Sequence, residues 1–139
     1  MKGNMKKLLL LSALFIFACS SDDSNDNSNQ TFLERYADIV WQSEGSEELI
    51  RLSFNLNGFT RNSEDCLVYV WNEENPNNGQ TWNLLENNHD NIVINKEESG
   101  TIDFTSIITI SEDENTLTEN ISDGEIYNAI RTTLSDPCE

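Results

Sequence analysis

Short strand-like segments separated by polar turns fill most of this sequence, and no helical pattern interrupts them. In residues 101–110, four of the five positions on one face are apolar, from Ile102 to Ile110, as expected for a half-buried strand. Residues 49–56 alternate in the same way, and eight or nine such segments can be counted. Because a parallel sheet needs long crossover connections, usually helices, this pattern excludes a parallel β-α-β fold.

The connections between these segments are short enough for an antiparallel meander. Asn57-Gly58 predicts a type I′ hairpin turn, in which both residues have positive φ. In the last segment, Ile126, Ile130 and Leu134 share one face. We therefore predict an all-β fold, a small antiparallel up-and-down β-barrel of about eight strands, since closure leaves no sheet edge exposed. A sandwich of two sheets is the alternative.

One short helix is expected before the strands. Thr31 is a favourable N-cap residue, and Glu34 stands three positions later, which is the spacing of a capping box. Phe32, Leu33 and Tyr36 lie at offsets of one and four residues, so they can share one face of the helix. The segment is long enough for one or two helical turns.

The first 18 residues have the form of a secretory signal peptide. Three lysines precede an apolar stretch from Leu8 to Phe17, which is too short to span a bilayer of roughly 30 Å as a helix. The four residues that end at Cys19 resemble a lipoprotein lipobox, which implies that Cys19 becomes the lipidated, palmitate-bearing N-terminus of the mature chain. The alternative is an ordinary signal peptide cut near Ala18. A lipid anchor would hold the protein to a membrane that it does not span.

Residues 19–30 predict a flexible acidic tether after the lipid. From Ser20 to Gln30 the chain consists of Ser, Asp, Asn and one Gln, with no apolar residue. This stretch resembles the acidic export signal that follows the lipidated Cys in surface lipoproteins of Bacteroidetes. The resemblance implies that the protein is anchored in the outer membrane and faces outward from the cell. A lipoprotein that faces the periplasm is the alternative.

The charge of the chain excludes one class of partner. It has 25 Asp and Glu residues against 8 Lys and Arg, a net charge of −17, and loss of the three lysines of the signal peptide would make it −20. A protein that binds nucleic acid needs a basic face to replace the counterions of the phosphates. We therefore expect no nucleic-acid partner and no simple electrostatic docking to anionic lipid.

The cysteines predict one disulfide. With Cys19 assigned to lipid, Cys66 and Cys138 remain as a pair in an oxidising compartment, where disulfides persist. The bond would close a long loop and would stabilise the fold by at most about 4 kcal/mol if it acts through chain entropy. It would also hold the last residues of the chain, which would otherwise fray.

The chain from residue 31 onward resembles a known family. The resemblance rests on Phe32–Tyr36 followed by Val40-Trp41, on Cys66, on the Asp123-Gly124 turn, and on Ile130–Thr132 before Cys138. These features are similar to those of the small lipocalin-like lipoproteins of Bacteroidetes and, more widely, of lipocalins and fatty-acid-binding proteins. The resemblance implies a lipocalin-like barrel over residues 31–139. It also implies that Trp41 packs at the closed end of the barrel beneath Arg131, as a structural cation–π pair.

No arrangement of residues indicates catalysis. The sequence has no Gly-x-Ser-x-Gly nucleophile motif and no phosphate-binding glycine loop. The one histidine, His89, lies in a predicted loop, and the acidic turns lack the spacing of a calcium-binding loop. We therefore expect no catalytic residue, no metal and no cofactor, and an enzyme ranks third among the interpretations of function.

Aromatic side chains are the candidates to line a ligand site at the mouth of the barrel. Five of them lie on predicted strands: Phe54, Tyr69, Trp71, Trp82 and Phe104. A barrel of about eight strands is just wide enough to be filled by side chains or to hold one small ligand. We interpret the protein as a surface-exposed envelope lipoprotein, a non-catalytic binding module for a small apolar ligand or a protein partner. The alternative is a structural subunit with a solid core that docks another envelope protein.

Overall fold

The fold is taken from a computed structural model, which describes residues 29–43, 50–62, 65–134 and 138. It contains one helix, α1 (Phe32–Tyr36), and nine strands. The strands are β1 (Val40–Ser43), β2 (Arg51–Asn55), β3 (Gly58–Asn62), β4 (Cys66–Val70), β5 (Gln80–Asn87), β6 (Asn91–Glu98), β7 (Thr101–Ile110), β8 (Thr116–Ile121) and β9 (Ile126–Thr132). The predicted signal peptide, Cys19 and most of the predicted tether lie outside the described residues. The prediction of an all-β fold with a short N-terminal helix is confirmed.

All nine strands form one antiparallel sheet that curls into a nearly closed barrel. The strand order is β4-β3-β2-β1-β9-β8-β7-β6-β5, so the first and last strands of the chain are hydrogen-bonded neighbours. Strands that follow each other in sequence are paired, except β4 and β5, which are the two edges of the sheet. One continuous curled sheet leaves no second sheet for a sandwich.

The connection between β4 and β5 fills the gap between these two edge strands. Its backbone binds to β5, because the N–H of Asn72 donates to Trp82 O at 2.9 Å and the N–H of Asn75 donates to Gln80 O at 2.8 Å. Toward β4, the side chain of Asn75 donates to Val68 O at 2.9 Å. The barrel is therefore closed at this seam by a loop rather than by a ladder of paired strands.

Helix α1 covers one end of the barrel, which we call the closed end. Phe32, Leu33 and Tyr36 are buried beneath it, as the helical spacing predicts. The Glu34 carboxylate accepts hydrogen bonds from the backbone N–H of Thr31 at 2.8 Å and from its hydroxyl at 2.9 Å. These two bonds lower the pKa of Glu34. The opposite end, where β8 joins β9, is called the far end.

The core is one cluster of buried side chains inside the barrel and beneath α1. Trp41 on β1 and Ile92 on β6 are fully buried in it. The ring of Trp41 meets the ring of Tyr36 edge to face, with the centroids 6.5 Å apart, so β1 and α1 share this core. In the part of the chain that the structure describes, no helix has the length and apolar character needed to cross a membrane.

The β2–β3 hairpin turns one residue earlier than the sequence predicts. Asn55 pairs with Gly58, so the turn residues are Leu56 and Asn57. Neither Asn57 nor Gly58 has a positive φ, and the prediction of a type I′ turn at these residues is therefore wrong. Gly58 is needed for another reason, because a Cβ at this position would overlap the carbonyl oxygen of Tyr69 on β4.

A β-bulge changes the facing of one residue in β7. Phe104 pairs with Lys96, but the next pair along is Ile102 with Glu97, so one residue of β7 is left over between the two pairs. Ile102 therefore leaves the inward face that the alternation predicts and is 58% exposed. The sequence pattern of β7 gives no sign of the bulge, because it depends on pairing with β6.

The apolar face of β9 points away from the core. Ile126, Ile130 and Leu134 are all exposed, whereas the small side chain of Ala129 is buried. Alternation shows which residues of a strand share a face, but it does not show which face the barrel encloses. On β9 the inward face is the one with fewer aliphatic residues.

Candidate functional site

A cavity of about 420 Å³ lies inside the barrel toward its far end. Its aliphatic wall is formed by Ile94, Ile108, Leu117 and Ile121. Its aromatic wall is formed by Phe54, Phe59, Trp82 and Phe104. The other lining residues are Ile50, Leu52, Arg61, Glu119, Asp123, Glu125 and Tyr127. Small-molecule pockets typically have volumes of about 300–1,000 Å³, so this space is large enough for one small ligand.

The register of the sheet explains why a charged residue lines this apolar space. Residues directly opposite each other in paired antiparallel strands project from the same face. Glu119 lies opposite Ile108 on β7 and Tyr127 on β9, and all three line the cavity. Leu117 and Ile121, two positions away on either side of Glu119, also face inward. Glu119 therefore occupies the middle position of the inward face of β8.

The electrostatics of the cavity depend on Glu119 and Arg61. Burial raises the pKa of Glu119, because the carboxylate loses contact with water. The nearby Ser106 hydroxyl and the positive charge of Arg61 act in the opposite direction. Among the described residues, no carboxylate lies within ion-pairing distance of Arg61. The cavity thus holds a guanidinium and a desolvated carboxyl group that do not pair with each other.

Two buried polar atoms beside the cavity have no hydrogen-bond partner among the described residues, Trp82 Nε1 and Ser106 Oγ. Trp82 is 7% exposed and Ser106 is fully buried. Ser106 lies opposite Ile94 and Ile121, which both line the cavity, so its hydroxyl belongs to the inward face. It lies near enough to the Glu119 carboxyl group to lower its pKa, although the two groups form no hydrogen bond of regular geometry. An unsatisfied buried polar group costs free energy, which a ligand can recover.

Three of the five aromatic residues predicted to line a ligand site do line the cavity: Phe54, Trp82 and Phe104. The other two, Tyr69 and Trp71, are buried behind the aromatic wall, beside Phe59. The ring of Tyr69 stacks on Phe59 with the centroids 4.8 Å apart, and Trp71 lies 5.3 Å from the same ring. Tyr69 also donates from its hydroxyl to Gln80 Oε1 at 3.2 Å. Both residues support the site without reaching it.

Glu119 and Arg61 were not among the residues predicted from the sequence to line a ligand site. A signal for Glu119 exists, since it stands between Leu117 and Ile121 at alternate positions of one strand. Arg61 likewise stands two positions after Phe59. A charged residue in an otherwise apolar alternating face is unusual for a core and is a reason to expect a site.

The structure places Trp41 and Arg131 opposite each other in the pairing of β1 with β9. Trp41 is fully buried, while Arg131 is exposed. Two cations lie over aromatic rings in the described residues: Arg35 over Tyr36 at 4.9 Å, and Lys96 over the ring of Phe104 at 5.7 Å. Stacking of Arg131 on Trp41 stays a prediction.

At the closed end, a hydrogen-bonded cluster ties α1 to the loops beneath it. Arg35 Nη1 lies 3.0 Å from His89 Nε2, and Arg35 Nη2 donates to Glu114 Oε1 at 3.2 Å. Because a guanidinium only donates, His89 Nε2 must accept, so the proton of the neutral ring is on Nδ1. Nδ1 lies 2.8 Å from Gln30 O and donates to it. His89 thus has a structural role at the end opposite the cavity mouth.

A groove of about 510 Å³ lies on the outer surface of the barrel. One row of outward residues from five neighbouring strands forms its floor: Val68, Thr60, Ser53, Val40 and Thr132. Leu134 and Cys138 also line it. The groove is separate from the interior cavity, because the two spaces lie on opposite faces of the sheet.

The remaining predicted site concerns the cysteines. Cys66 and Cys138 are joined by a disulfide, with their Cα atoms 5.6 Å apart, as the cysteine count predicts. Within the described ranges, no three His, Cys, Asp or Glu side chains gather as a set that could hold a metal ion. Comparison of the chain with family models, with curated proteins and with solved structures finds no match.

Proposed function

We propose that the barrel is a non-catalytic binding module that holds one small ligand with an apolar body in its interior cavity. The observation that carries this proposal is a largely apolar cavity of about 420 Å³ beside two buried polar atoms that have no hydrogen-bond partner in the described residues, Trp82 Nε1 and Ser106 Oγ. A barrel with a solid core would enclose no such space. A ligand with an apolar body and one polar group would fill the cavity and place its polar group beside the polar residues that line it.

We propose further that the chain is a lipocalin-like lipoprotein of the cell envelope, anchored through Cys19 and exposed on the outer membrane. This part of the proposal rests on the sequence of residues 1–30. The contact of Gln30 with His89 supports a particular orientation, because it brings the chain into the barrel at the closed end. Asp123 and Glu125 line the cavity at the far end. An anchor at Cys19 would therefore leave the cavity facing away from the membrane.

The binding proposal is tested by titration with N-phenyl-1-naphthylamine, a neutral apolar dye whose emission increases in apolar surroundings. We expect saturable binding of one dye per chain, with a change in the emission of Trp82. Replacing Ile121, which lines the cavity, by Trp should fill the space and abolish binding. The matched control is Ile126→Trp on the outer face of β9, which should bind the dye normally. No saturable binding, or equal loss in both variants, would refute the proposal.

The anchoring proposal is tested by metabolic labelling of cells with radioactive palmitate. The wild-type chain should be labelled, and Cys19→Ser should not be. Cys138→Ser is the control, because this cysteine lies in a disulfide and should not affect the label. Cleavage of the protein by protease added to intact cells would support exposure on the cell surface. Protection in intact cells with cleavage after permeabilisation would instead support the periplasmic alternative.

A second candidate function is docking of another envelope protein through the outer surface. The exposed apolar residues near the outer groove favour it, namely Leu56, Val68 and Val70. Val68→Asp should then abolish a complex recovered from the envelope while dye binding in the cavity is unchanged. The opposite result, loss of dye binding with the complex intact, would argue against docking at this groove.

A further inference from the structure

The charged groups around the cavity favour a ligand that carries a positive charge. Three carboxyl groups line it, those of Glu119, Asp123 and Glu125. The one cationic group among the described lining residues is that of Arg61. We propose that the ligand is an amphiphile whose polar group is an amine, bound as an ammonium ion beside Glu119. This inference rests on the proposed function and adds the chemical class of the ligand.

A carboxyl group that lines the cavity and a buried hydroxyl lie close together on the inward face of the barrel, where an ammonium ion would bind. Glu119 supplies a carboxylate between Leu117 and Ile121. Ser106, near Glu119, supplies a fully buried hydroxyl with no partner in the described part of the chain. Burial raises the pKa of Glu119, and an adjacent cation would reverse this rise because it favours the ionised carboxylate. An ammonium group beside Glu119 would therefore stabilise the Glu119 charge and lie next to the buried Ser106 hydroxyl.

The aromatic wall offers a second kind of contact to a cation, since the faces of aromatic rings attract positive charge. Lys96 Nζ lies over the ring of Phe104, 5.7 Å from its centroid, so one ring of this wall is already in contact with a primary ammonium group. The charge of Lys96 is balanced by Asp103 at 2.8 Å and by Glu98 at 3.8 Å. Neither of these two carboxylates lines the cavity, so the lining carboxyl groups remain available to a ligand.

A carboxylate amphiphile is the competing choice, because Arg61 could pair with it. Such a ligand would have to enter past Asp123 and Glu125 and then lie near Glu119. Like charges in a poorly hydrated cavity repel each other, and the net charge of −17 repels anions before they reach the barrel. The balance of charge therefore favours the amine.

The test compares octylamine, 1-octanol and octanoate, which share one alkyl chain, as competitors of N-phenyl-1-naphthylamine on the full chain near neutral pH. A charge-assisted hydrogen bond to Glu119 should make octylamine bind about tenfold or more tightly than octanol, with octanoate the weakest. If octanol binds as tightly as octylamine, or octanoate binds more tightly than octylamine, the amine inference is wrong while the proposed function stands. If none of the three displaces the bound dye, the amine inference is wrong, whereas the proposed function is refuted only if the dye itself fails to bind in the cavity.

Substitution of Glu119 tests the position of the ammonium group. Glu119→Gln should lower the affinity for octylamine by about tenfold or more and leave the affinity for octanol unchanged. The matched control is Glu112→Gln, in the exposed connection between β7 and β8, which should change neither affinity. If Glu119→Gln lowered the affinities for octylamine and octanol equally, the effect would be structural and would overturn the inference. In a carboxyl NMR titration, octylamine but not octanol should lower the pKa of Glu119.

Discussion

The side-chain Nδ2 of Asn75 donates a hydrogen bond to the carbonyl oxygen of Val68 at 2.9 Å, between the two edge strands of the barrel. The other polar groups of Asn75 are also used. Its backbone N–H donates to Gln80 O at 2.8 Å, its Oδ1 accepts from the N–H of Asn77 at 2.9 Å, and its backbone oxygen accepts from Gly79 at 2.8 Å. With 4% of its surface exposed, this one residue bonds to both edges of the seam.

We predict that Asn75→Ala opens the seam. The substitution leaves Val68 O and the N–H of Asn77 without their partners, so we expect the free energy of unfolding to fall by about 1–3 kcal/mol. Urea unfolding measures this loss. Hydrogen exchange should become faster for the amides of Asn72 and Asn75, which bond to β5. Asn77→Ala is the control, since the Asn77 side chain is exposed. Equal stability of the two variants would contradict the prediction.

Gly58 and Gly100 should respond differently to the same substitution. Gly58→Asn would force a Cβ into the carbonyl oxygen of Tyr69, so we expect a loss of roughly 1–3 kcal/mol in the free energy of unfolding. Gly100 has a φ of +77° with open space around it. Asn tolerates this conformation, so Gly100→Asn should lower the free energy of unfolding by less than about 1 kcal/mol. Thermal unfolding of both variants measures the difference, and a larger loss at Gly100 would contradict the steric argument.

The contrast between these glycines shows what the sequence could predict. Most of the strands follow from alternation or from short apolar runs, which are local, whereas β3 follows from the turn before it, as the return strand of a hairpin. The turn at Asn57-Gly58 was predicted from a local turn preference. Gly58 is instead required by Tyr69 on the next strand, and the outward position of Ile102 is set by pairing with β6. Constraints of this kind come from pairing between strands, so local patterns do not reveal them.

The residues of the candidate site also differ in how far the sequence alone reveals them. The aromatic residues Phe54, Trp82 and Phe104 could be selected from the sequence, because large apolar residues on strands are natural candidates for a lining. The burial of the Ser106 hydroxyl without a hydrogen-bond partner in the described residues could not be predicted, since it depends on which groups come near it after folding. Glu119 is intermediate, because its place in the alternation of β8 is local but its burial depends on the closed barrel.

Glu119 is predicted to destabilise the empty barrel at neutral pH. Its pKa is higher in the fold than in the unfolded chain, so the folded protein binds the proton more strongly. The free energy of unfolding should therefore decrease as pH rises from the ordinary glutamate pKa, about 4.3, through the raised pKa of the fold. Glu119→Gln removes this loss, so the variant should be more stable than wild type above that range and equal to it below.

Thermal unfolding of the wild type and Glu119→Gln across this pH range measures the effect. Each unit of difference between the folded and unfolded pKa contributes about 1.4 kcal/mol. Glu112→Gln, at an exposed position, should follow the wild type at every pH. A constant difference between Glu119→Gln and wild type, independent of pH, would assign the effect to packing rather than to ionisation. Glu119 would then have no energetic cost for a cation to relieve.

His89 is predicted to stabilise the closed end through its two ring nitrogens. His89→Ala removes the contacts of the ring with Arg35 and with Gln30, so we expect a loss of about 1 kcal/mol and faster hydrogen exchange in α1. Asp90→Asn is the control in the same loop, because Asp90 is exposed and its oxygen lies 3.9 Å from Arg35. An exposed ion pair at that distance contributes little. Equal effects of the two substitutions would argue against the role of His89.

The disulfide is predicted to hold β4 more than it holds β9. β4 has one ladder partner, β3, and otherwise depends on the seam at Asn75, whereas β9 is paired on both sides. Replacing Cys66 and Cys138 together by Ser should lower the free energy of unfolding by about 2–4 kcal/mol. Hydrogen exchange should accelerate first in β4. Reduction of the wild type by a thiol should reproduce both effects, and Cys19→Ser should produce neither. If β9 instead exchanged faster than β4, the bond would act mainly on the end of the chain, and the seam would be stable without it.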